Sequence, residues 1–307
     1  MSTRITTSMV QRNVLADLNS VAAKLTRSQE KAASGKEISR PSDDPFHASQ
    51  AMGLRGGLAA VQQYQRNVQD ATDWANMTED GLDDITQNVA TARDLLVQGS
   101  TDSADQTARN SIASQMEQLI ESIKQGASKN YRGSYLFAGA ATGTRPYVSG
   151  ADDTYKGDLG GLNPAVPGIV REIGPGVTLT INTVGRDILG DGQAAGDGKL
   201  LNVLRDAVDH LKAGNSTALR GDLDKLDTNM DHVLEVRAAN GAKTQRLEAA
   251  LGRLQQTEES TVKQLSDTED ADIAKTLIDL NSQTAAYQAA LRAGANLVQS
   301  SLMDFLR

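Results

Sequence analysis

The chain contains no cysteine, few aromatic residues and no long apolar run. Its 307 residues include one Trp, three Phe and six Tyr, so aromatic residues make up 3% of the total. Without cysteine there is no disulfide scaffold, no thiolate metal site and no cysteine nucleophile. Because each aromatic side chain buries so much area, a core with few of them must rely on aliphatic residues. That composition favours thin packed helices over a thick globule.

Membrane insertion and nucleic-acid binding are disfavoured as well. No apolar stretch approaches the ~20 residues that a membrane-spanning helix needs, and after Met1 the first ten residues are polar apart from Ile5, Met9 and Val10. We therefore expect no ordinary secretory signal peptide. The formal net charge of −8 argues against general nucleic-acid binding, which needs a basic face to neutralise phosphates.

Glycine and proline divide the chain into three parts. Fourteen of the 27 glycines and four of the six prolines lie between Gly139 and Gly198. The other two prolines, Pro41 and Pro45, flank one short turn. Because proline costs ~3 kcal/mol inside a helix, the proline-free stretches on either side of the middle predict long helices, and the middle itself does not.

Apolar residues recur at spacings of three and four at both ends of the chain. Near the start the stripe consists of Val14, Leu18, Val21 and Leu25. Near the end it consists of Ile273, Leu277, Leu280, Tyr287, Leu291, Val298 and Phe305. This spacing is typical of a coiled-coil or helix-bundle seam. Polar or small residues interrupt both seams, so we expect the end helices to be weakly ordered in a lone monomer and to gain order against neighbours.

The Gly/Pro-rich middle predicts short strands. Val177 to Ile181 alternates apolar and polar residues, Ile169 to Ile173 forms a second run, and Gly174-Pro175-Gly176 supplies a turn between them. We expect a hairpin here and a further strand at Arg145 to Val148. The predicted fold is mainly α with a small β insertion: a long antiparallel helical hairpin or bundle plus a central Gly/Pro-rich β domain.

These patterns predict five segments. They are an N-terminal coiled-coil helix and turn at 1–44, outgoing core helices at 45–138, a variable β domain at 139–198, returning core helices at 199–268 and a C-terminal coiled-coil helix at 269–307.

No pattern of residues predicts a catalytic, cofactor or metal site. The phosphate-binding loop and the paired-histidine zinc motif are missing, and His210 and His232 lie far apart on predicted helices. His47 follows Asp43 and Asp44, which could indicate a metal, but a turn and a helix cap before Pro45 explain them better. The Gly/Asp-rich stretch at 190–198 is a faint, single copy of a calcium repeat, and we interpret it as a loop rich in turns. We therefore expect a protein that is not an enzyme.

Three segments resemble the flagellin superfamily. The first, Ala33 to Gln50, reads ASGKEISRPSDDPFHASQ and contains the turn residues Arg40, Pro41, Ser42, Asp43, Asp44 and Pro45. The second is Arg132 to Gly139, RGSYLFAG, and the third is the terminal SSLMDFLR of Ser300 to Arg307. All three follow the order found in the superfamily, in the version carried by its hook–filament junction members.

The resemblance implies a structural protein of the bacterial flagellum. Such a protein would link the hook-associated protein FlgK to the base of the flagellin filament, form a ring with further copies and polymerise through its terminal helices. It would leave the cytoplasm through the flagellar type III export apparatus, be held before export by the chaperone FlgN, and act outside the cell without a cofactor. The two terminal stripes would then form the subunit and chaperone interfaces, with the central domain facing outward.

Three alternatives remain open at this point. A flagellin, the filament subunit, shares the architecture, but its turn usually lacks the two prolines and its end usually differs from Met303 to Leu306. A coiled-coil adaptor would share the polar helices without needing the Gly-rich insertion. An enzyme with its site in the middle domain would need a motif that the sequence lacks.

Overall fold

The structure, a computed structural model, describes residues 7–101, 104–150, 152–163 and 166–305. Within these ranges, seven α-helices and four short strands follow one another. The helices are α1 (Thr7–Ser34), α2 (Pro45–Ser100), α3 (Gln106–Gly126), α4 (Gly185–Leu189), α5 (Leu200–Ala213), α6 (Ser216–Glu269) and α7 (Ile273–Phe305). The strands are β1 (Asn130–Tyr131), β2 (Ser134–Tyr135), β3 (Val170–Gly174) and β4 (Val177–Thr180). None of the helices in the described ranges is long and apolar enough to cross a membrane.

The expected fold class is confirmed, with long helices and two small antiparallel sheets. Strands β3 and β4 form the predicted hairpin, pairing Val170 with Thr180 and Glu172 with Thr178. The turn between them contains Gly176 at a φ of 67°, a conformation that favours glycine.

The expected strand at Arg145 to Val148 is wrong. These residues adopt bends and irregular backbone, and the buried Tyr147 donates a hydrogen bond from its hydroxyl to the carbonyl of Gly190, at 2.7 Å. Pro146 has no N–H to give to a strand ladder. Here the packing of a buried ring, rather than strand pairing, determines the path of the backbone.

A second hairpin, β1 and β2, was not expected from the sequence. Asn130 pairs with Tyr135 and Tyr131 with Ser134, around a turn in which Arg132 and Gly133 both have positive φ, 51° and 87°. Positive φ at both turn residues matches the right-handed twist of a hairpin. A non-glycine residue in this conformation has no clear signature in the sequence.

The helical chain separates into two compact units, residues 61–256 and residues 1–60 with 257–307. The 61–256 unit holds the buried apolar core of the described chain, drawn from α2, α3, α5, α6 and the two hairpins. Ile112, Met116, Ile120 and Ile123 of α3 are almost fully buried in it, as the three-and-four spacing predicts. Helix α6 runs without a break through its polar patch, where the buried Asn240 amide donates to the Ala75 carbonyl of α2, at 2.9 Å.

Candidate interaction surface on the terminal helices

In the 1–60/257–307 unit, α1 and α7 pack against each other in an antiparallel manner. Val14 of α1 faces Gly294 of α7, where an added Cβ would lie 3.4 Å from a Val14 methyl group. Towards the other end, Lys31 of α1 and Thr276 of α7 line one surface groove of about 340 Å³. The N-terminal part of α1 therefore lies beside the C-terminal part of α7, and the C-terminal part of α1 lies beside the start of α7.

The predicted stripes lie on this helix pair but are not fully covered by it. The four α1 residues, Val14, Leu18, Val21 and Leu25, are half-buried, as are Leu280 and Tyr287 of α7. Ile273, Leu277 and Leu291 remain 50%, 47% and 44% exposed. The side chains of Val298 and Phe305 lie outside the described part of the structure. The pairing within one chain thus leaves much of the α7 stripe in contact with solvent.

This unit has almost no core of its own. Among its described residues only Ala48, Ala51, Glu269 and Thr276 are buried, and none of these is a large apolar side chain. In the 61–256 unit, by contrast, most large apolar side chains of the helices are buried. Since packing of an apolar face supplies most of the stability of a helix in a protein, α1 and α7 have little to hold them in place within one chain.

Backbone hydrogen bonds join the α1–α2 turn to the α6–α7 corner. The Glu37 N–H donates to the Glu269 carbonyl at 2.8 Å, and the Ala271 N–H donates to the Gly35 carbonyl at 2.9 Å. Gly35 has a φ of 68°, which lets α1 end abruptly at this point. We call residues 35–37 and 269–271 the corner bridge.

A buried carboxylate reinforces the corner bridge. The Glu269 side chain is only 6% exposed and accepts hydrogen bonds from the Lys36 ammonium, at 2.6 Å, and from the Arg55 guanidinium. One carboxylate therefore connects three segments, namely the turn, the start of α2 and the end of α6. Charge-assisted hydrogen bonds of this kind are the stronger ones in proteins.

The turn residues Arg40 to Pro45 are ordered by local hydrogen bonds. The Arg40 N–H donates to a carboxylate oxygen of Asp43 at 3.0 Å, and the Asp43 N–H returns a bond to the Arg40 carbonyl. Asp44 caps α2 by accepting from the N–H groups of Phe46 and His47, at 3.0 and 3.1 Å. The His47 ring, 2.7 Å from the same carboxylate, lowers the pKa of Asp44 below its ordinary value. The expected cap before Pro45 is confirmed and is Asp44.

Two family models match the chain. The model of the bacterial flagellin N-terminal helical region matches residues 5–142, and that of the bacterial flagellin C-terminal helical region matches residues 223–306. The chain belongs to the flagellin superfamily. The first match covers α1, α2 and α3, and the second covers most of α6 and all of α7, so the membership rests on the long helices of the chain.

Relatives within the flagellin superfamily align over nearly the whole chain. Flagellar hook-associated protein 3 of Escherichia coli (strain K12) is 27% identical, covering 98% of this chain and 99% of that protein. Flagellin of Bacillus subtilis (strain 168) is 26% identical, covering 99% of this chain and 100% of that one. The crystal structure of the flagellar junction protein FlgL from Legionella pneumophila has a TM-score of 0.55 at 13% identity, covering 73% of this chain and 100% of that one, and shows the shared fold. These similarities support the role of a hook-associated protein 3 for this chain better than the role of a flagellin.

The other candidate sites of this flagellin-superfamily chain have structural partners. Asp191 and Asp197, in the Gly/Asp-rich loop, accept backbone N–H bonds from Tyr155 and Lys199, each at 3.0 Å. His210 lies 2.5 Å from the buried Asp222 carboxylate, and His232 lies 3.4 Å from Asp187. Over the described ranges, no group of three or more His, Asp or Glu residues is arranged to hold a metal ion.

Sequence reasoning missed a buried ionic cluster in the 61–256 unit. The Asp153 carboxylate lies 2.9 Å from the Lys124 ammonium and 2.7 Å from the Arg205 guanidinium, and the side chains of Lys124 and Asp153 are only 2% and 6% exposed. Burial raises the pKa of Asp153, but the hydrogen bonds from Arg205 and Lys124 outweigh burial and hold this pKa below its ordinary value. The one signal in the sequence is that Lys124 follows Ile120 by four residues, on the buried stripe of α3.

Proposed function

We propose that this chain is a structural subunit of the bacterial flagellum at the junction between hook and filament, and that α1 and α7 join it to its neighbours. One observation carries the proposal: the described 1–60/257–307 unit buries no large apolar side chain, although both helices have apolar stripes. Such stripes become stable only when a further surface covers them. The similarity to flagellar hook-associated protein 3 supports the same conclusion.

The proposal includes the partners that the superfamily resemblance implies. These are FlgK on one side, the base of the flagellin filament on the other, further copies in a ring, and FlgN before export. The half-exposed stripe of α7 supports this set, because helix-in-groove recognition uses an amphipathic face of this kind. We also propose export through the flagellar type III apparatus to an extracellular site, with the segment 139–198 as the variable domain facing outward.

We infer that the chain has no catalytic role. Its relatives carry the names of hook-associated protein and flagellin. The histidines that the sequence offered as candidates pair with carboxylates, and Asp44 acts as a helix cap. These arrangements support a structural function.

A complementation experiment tests the proposal. A strain that lacks this gene is expected to secrete flagellin into the medium without attached filaments, and the wild-type gene is expected to restore filaments. The double variant Leu277→Asn, Leu291→Asn should not restore them, because it removes two exposed apolar side chains from the stripe of α7. Electron microscopy of hook tips and measurement of secreted flagellin are the readouts.

Leu234→Asn is the matched control, because Leu234 is 46% exposed on α6 in the 61–256 unit. This control should restore filaments. If the deletion strain secretes no flagellin at all, the chain is the filament subunit, and the flagellin alternative replaces the junction role. If the double variant restores normal filaments, the proposed interface on α7 is wrong.

A further inference from the structure

Lys243, on α6 in the 61–256 unit, differs from the other lysines of the chain. Eight of the twelve lysines form an ion pair with a described carboxylate. Of the other four, Lys24, Lys263 and Lys275 are exposed. Lys243 is half-buried, and its ammonium group has no hydrogen bond or ion pair with any residue that the structure describes.

The Lys243 side chain lines a cavity of about 180 Å³. Asn240, three residues earlier on the same helix face, lines it too, and so does Asn182 of the segment after β4. Asn240 is 3% exposed, and its side-chain oxygen Oδ1 has no hydrogen-bond partner in the described structure. The cavity therefore combines an amine that lacks an acceptor with an amide oxygen that lacks a donor.

Asp187 is the only other titratable residue that lines this cavity among the described residues. Its carboxylate is shared between the ammonium group of Lys199, at 3.5 Å, and the ring of His232, at 3.4 Å. Asp187 thus makes no ion pair with Lys243. Burial alone lowers the pKa of the Lys243 ammonium group, which increases the fraction of neutral amine at a given pH.

We propose that Lys243 is an acylation site, at which the amine reacts with small activated acyl donors such as acyl phosphates. The lone pair of the neutral amine attacks the acyl carbon, the bond from that carbon to the phosphate oxygen breaks, and phosphate leaves. The nitrogen gives one proton, by way of water, to the departing phosphate, so the products are an N-acyl lysine and hydrogen phosphate.

The cavity suits the product better than the charged side chain. An N-acyl lysine is neutral, so its half-buried position no longer carries the free-energy cost of desolvating a charge. The new amide N–H is a donor in the cavity that the Asn240 side chain also lines. The room in the cavity limits the acyl group to a small one. This inference is independent of the flagellar function proposed above.

The test is a labelling experiment on the full-length protein with acetyl phosphate as the probe. The rates of acetylation at Lys243 and at Lys263, an exposed lysine on the same helix, are measured by mass spectrometry over a series of pH values. We expect Lys243 to react several-fold faster than Lys263 near neutral pH. Its reactivity should reach half its maximum below the ordinary lysine pKa of ~10.4.

Two substitutions at the exposed Ala239 provide the matched variants. Ala239→Glu places a carboxylate four residues before Lys243, where it forms an ion pair with the ammonium group. This variant should slow acetylation at Lys243 several-fold and leave Lys263 unchanged. Ala239→Gln puts a neutral side chain of the same size at the same cavity-lining position, so it should slow Lys243 much less and also leave Lys263 unchanged. The proposal is overturned if wild-type Lys243 reacts no faster than Lys263, or if the two variants behave alike.

Discussion

At the scale of single residues, two buried carboxylates connect segments that are far apart in the sequence. Glu269 joins the α1–α2 turn to the end of α6, and Asp153 joins the loop after Tyr147 to α3 and α5. Each carboxylate accepts hydrogen bonds from two cations. Breaking a buried ion pair on one side costs more than losing an exposed pair, because the remaining charges stay poorly solvated.

Glu269→Gln should loosen the corner bridge. The substitution removes the negative charge between Lys36 and Arg55, whose side chains are 38% and 50% exposed. Because these partners can turn to solvent, we expect a modest cost of about 1–2 kcal/mol. Amide hydrogen exchange at Glu37 and Ala271 should speed up accordingly. Glu259→Gln, at an exposed position of α6, is the control, and equal exchange in both variants would show that Glu269 does not hold the bridge.

Asp153→Asn should lower stability in a manner that depends on pH. The folded pKa of Asp153 lies below its ordinary value, so its ionised form stabilises the fold above the unfolded pKa of ~3.9, and this stability is lost as pH falls through the lower folded pKa. Near pH 7 we expect the variant to be less stable by roughly 3 kcal/mol. The difference should shrink as the pH falls below about 4.

Urea unfolding of the wild type and of Asp153→Asn at several pH values measures that difference. The control is Asp231→Asn, since Asp231 is exposed on α6 and should change little at any pH. A difference between wild type and Asp153→Asn that stays constant down to about pH 2 would be inconsistent with the ion pairs described here.

The sequence predicted local roles of residues better than distant ones. Asp44 could be identified as a cap because a cap, a proline and a helix start are adjacent in the chain. Lys124, Asp153 and Arg205 could not be identified as a cluster, because the residues that approach one another are 29 and 52 positions apart. Residue-spacing patterns describe neighbours within one helix or strand, so they do not relate residues this far apart in the sequence. The interfaces predicted for the terminal stripes remain predictions, since their partners are other chains.

At the scale of the elements, the helix periods and the β3–β4 hairpin followed from spacing and turn residues, whereas β1 and β2 did not. The turn at Arg132-Gly133 needs positive φ at an arginine, for which the residue type gives no signal. At Arg145 to Val148 the expected strand is absent, and the chain bends where the Tyr147 hydroxyl donates to the Gly190 carbonyl. At Tyr147, tertiary packing overrode the local preference of the chain, whereas the Arg132-Gly133 turn is exposed.

The same substitution, glycine to alanine, should have opposite effects at two positions inside helices. Gly294→Ala should stabilise α7 by roughly 1 kcal/mol, because alanine favours helix and its Cβ would meet Val14 at an ordinary contact distance of 3.4 Å. Gly99→Ala should destabilise α2 despite the same gain in propensity, because its Cβ would overlap the Leu211 side chain of α5.

Circular dichroism during thermal unfolding of both variants tests this contrast. Gly252→Ala is a useful reference, because nothing lies within 4 Å of a Cβ at that position of α6. Gly294→Ala should behave as Gly252→Ala does. If Gly99→Ala is also stabilising, the close packing of α2 on α5 is not as described.

At the scale of the whole molecule, the buried core and the apolar stripes lie in different units. The core occupies the 61–256 unit, and the described residues of the other unit bury no large apolar side chain. Stability in a folded protein is not uniform, and regions with few buried apolar contacts open first. The terminal helices therefore show the low burial of apolar side chains that we expect of segments that become ordered on assembly.

A fragment of residues 61–256 should fold alone. Because the core lies within it, we expect its main thermal transition to stay within about 4 °C of that of the full chain, a difference of ~1 kcal/mol. In the full-length monomer, amides of residues 10–30 and 275–295 should exchange much faster than those of α3. Strong protection of those terminal segments in the monomer would contradict the proposed dependence on neighbours.

The antiparallel contact between Val14 and Gly294 has a topological consequence. A covalent bridge between these positions would close a loop of about 280 residues and cost the unfolded chain roughly 5–6 kcal/mol of conformational freedom in the chain-entropy model. A looped chain could enter a narrow channel only as a doubled strand. Since the native chain has no cysteine to form such a loop, no disulfide can prevent it from being threaded through an opening end first.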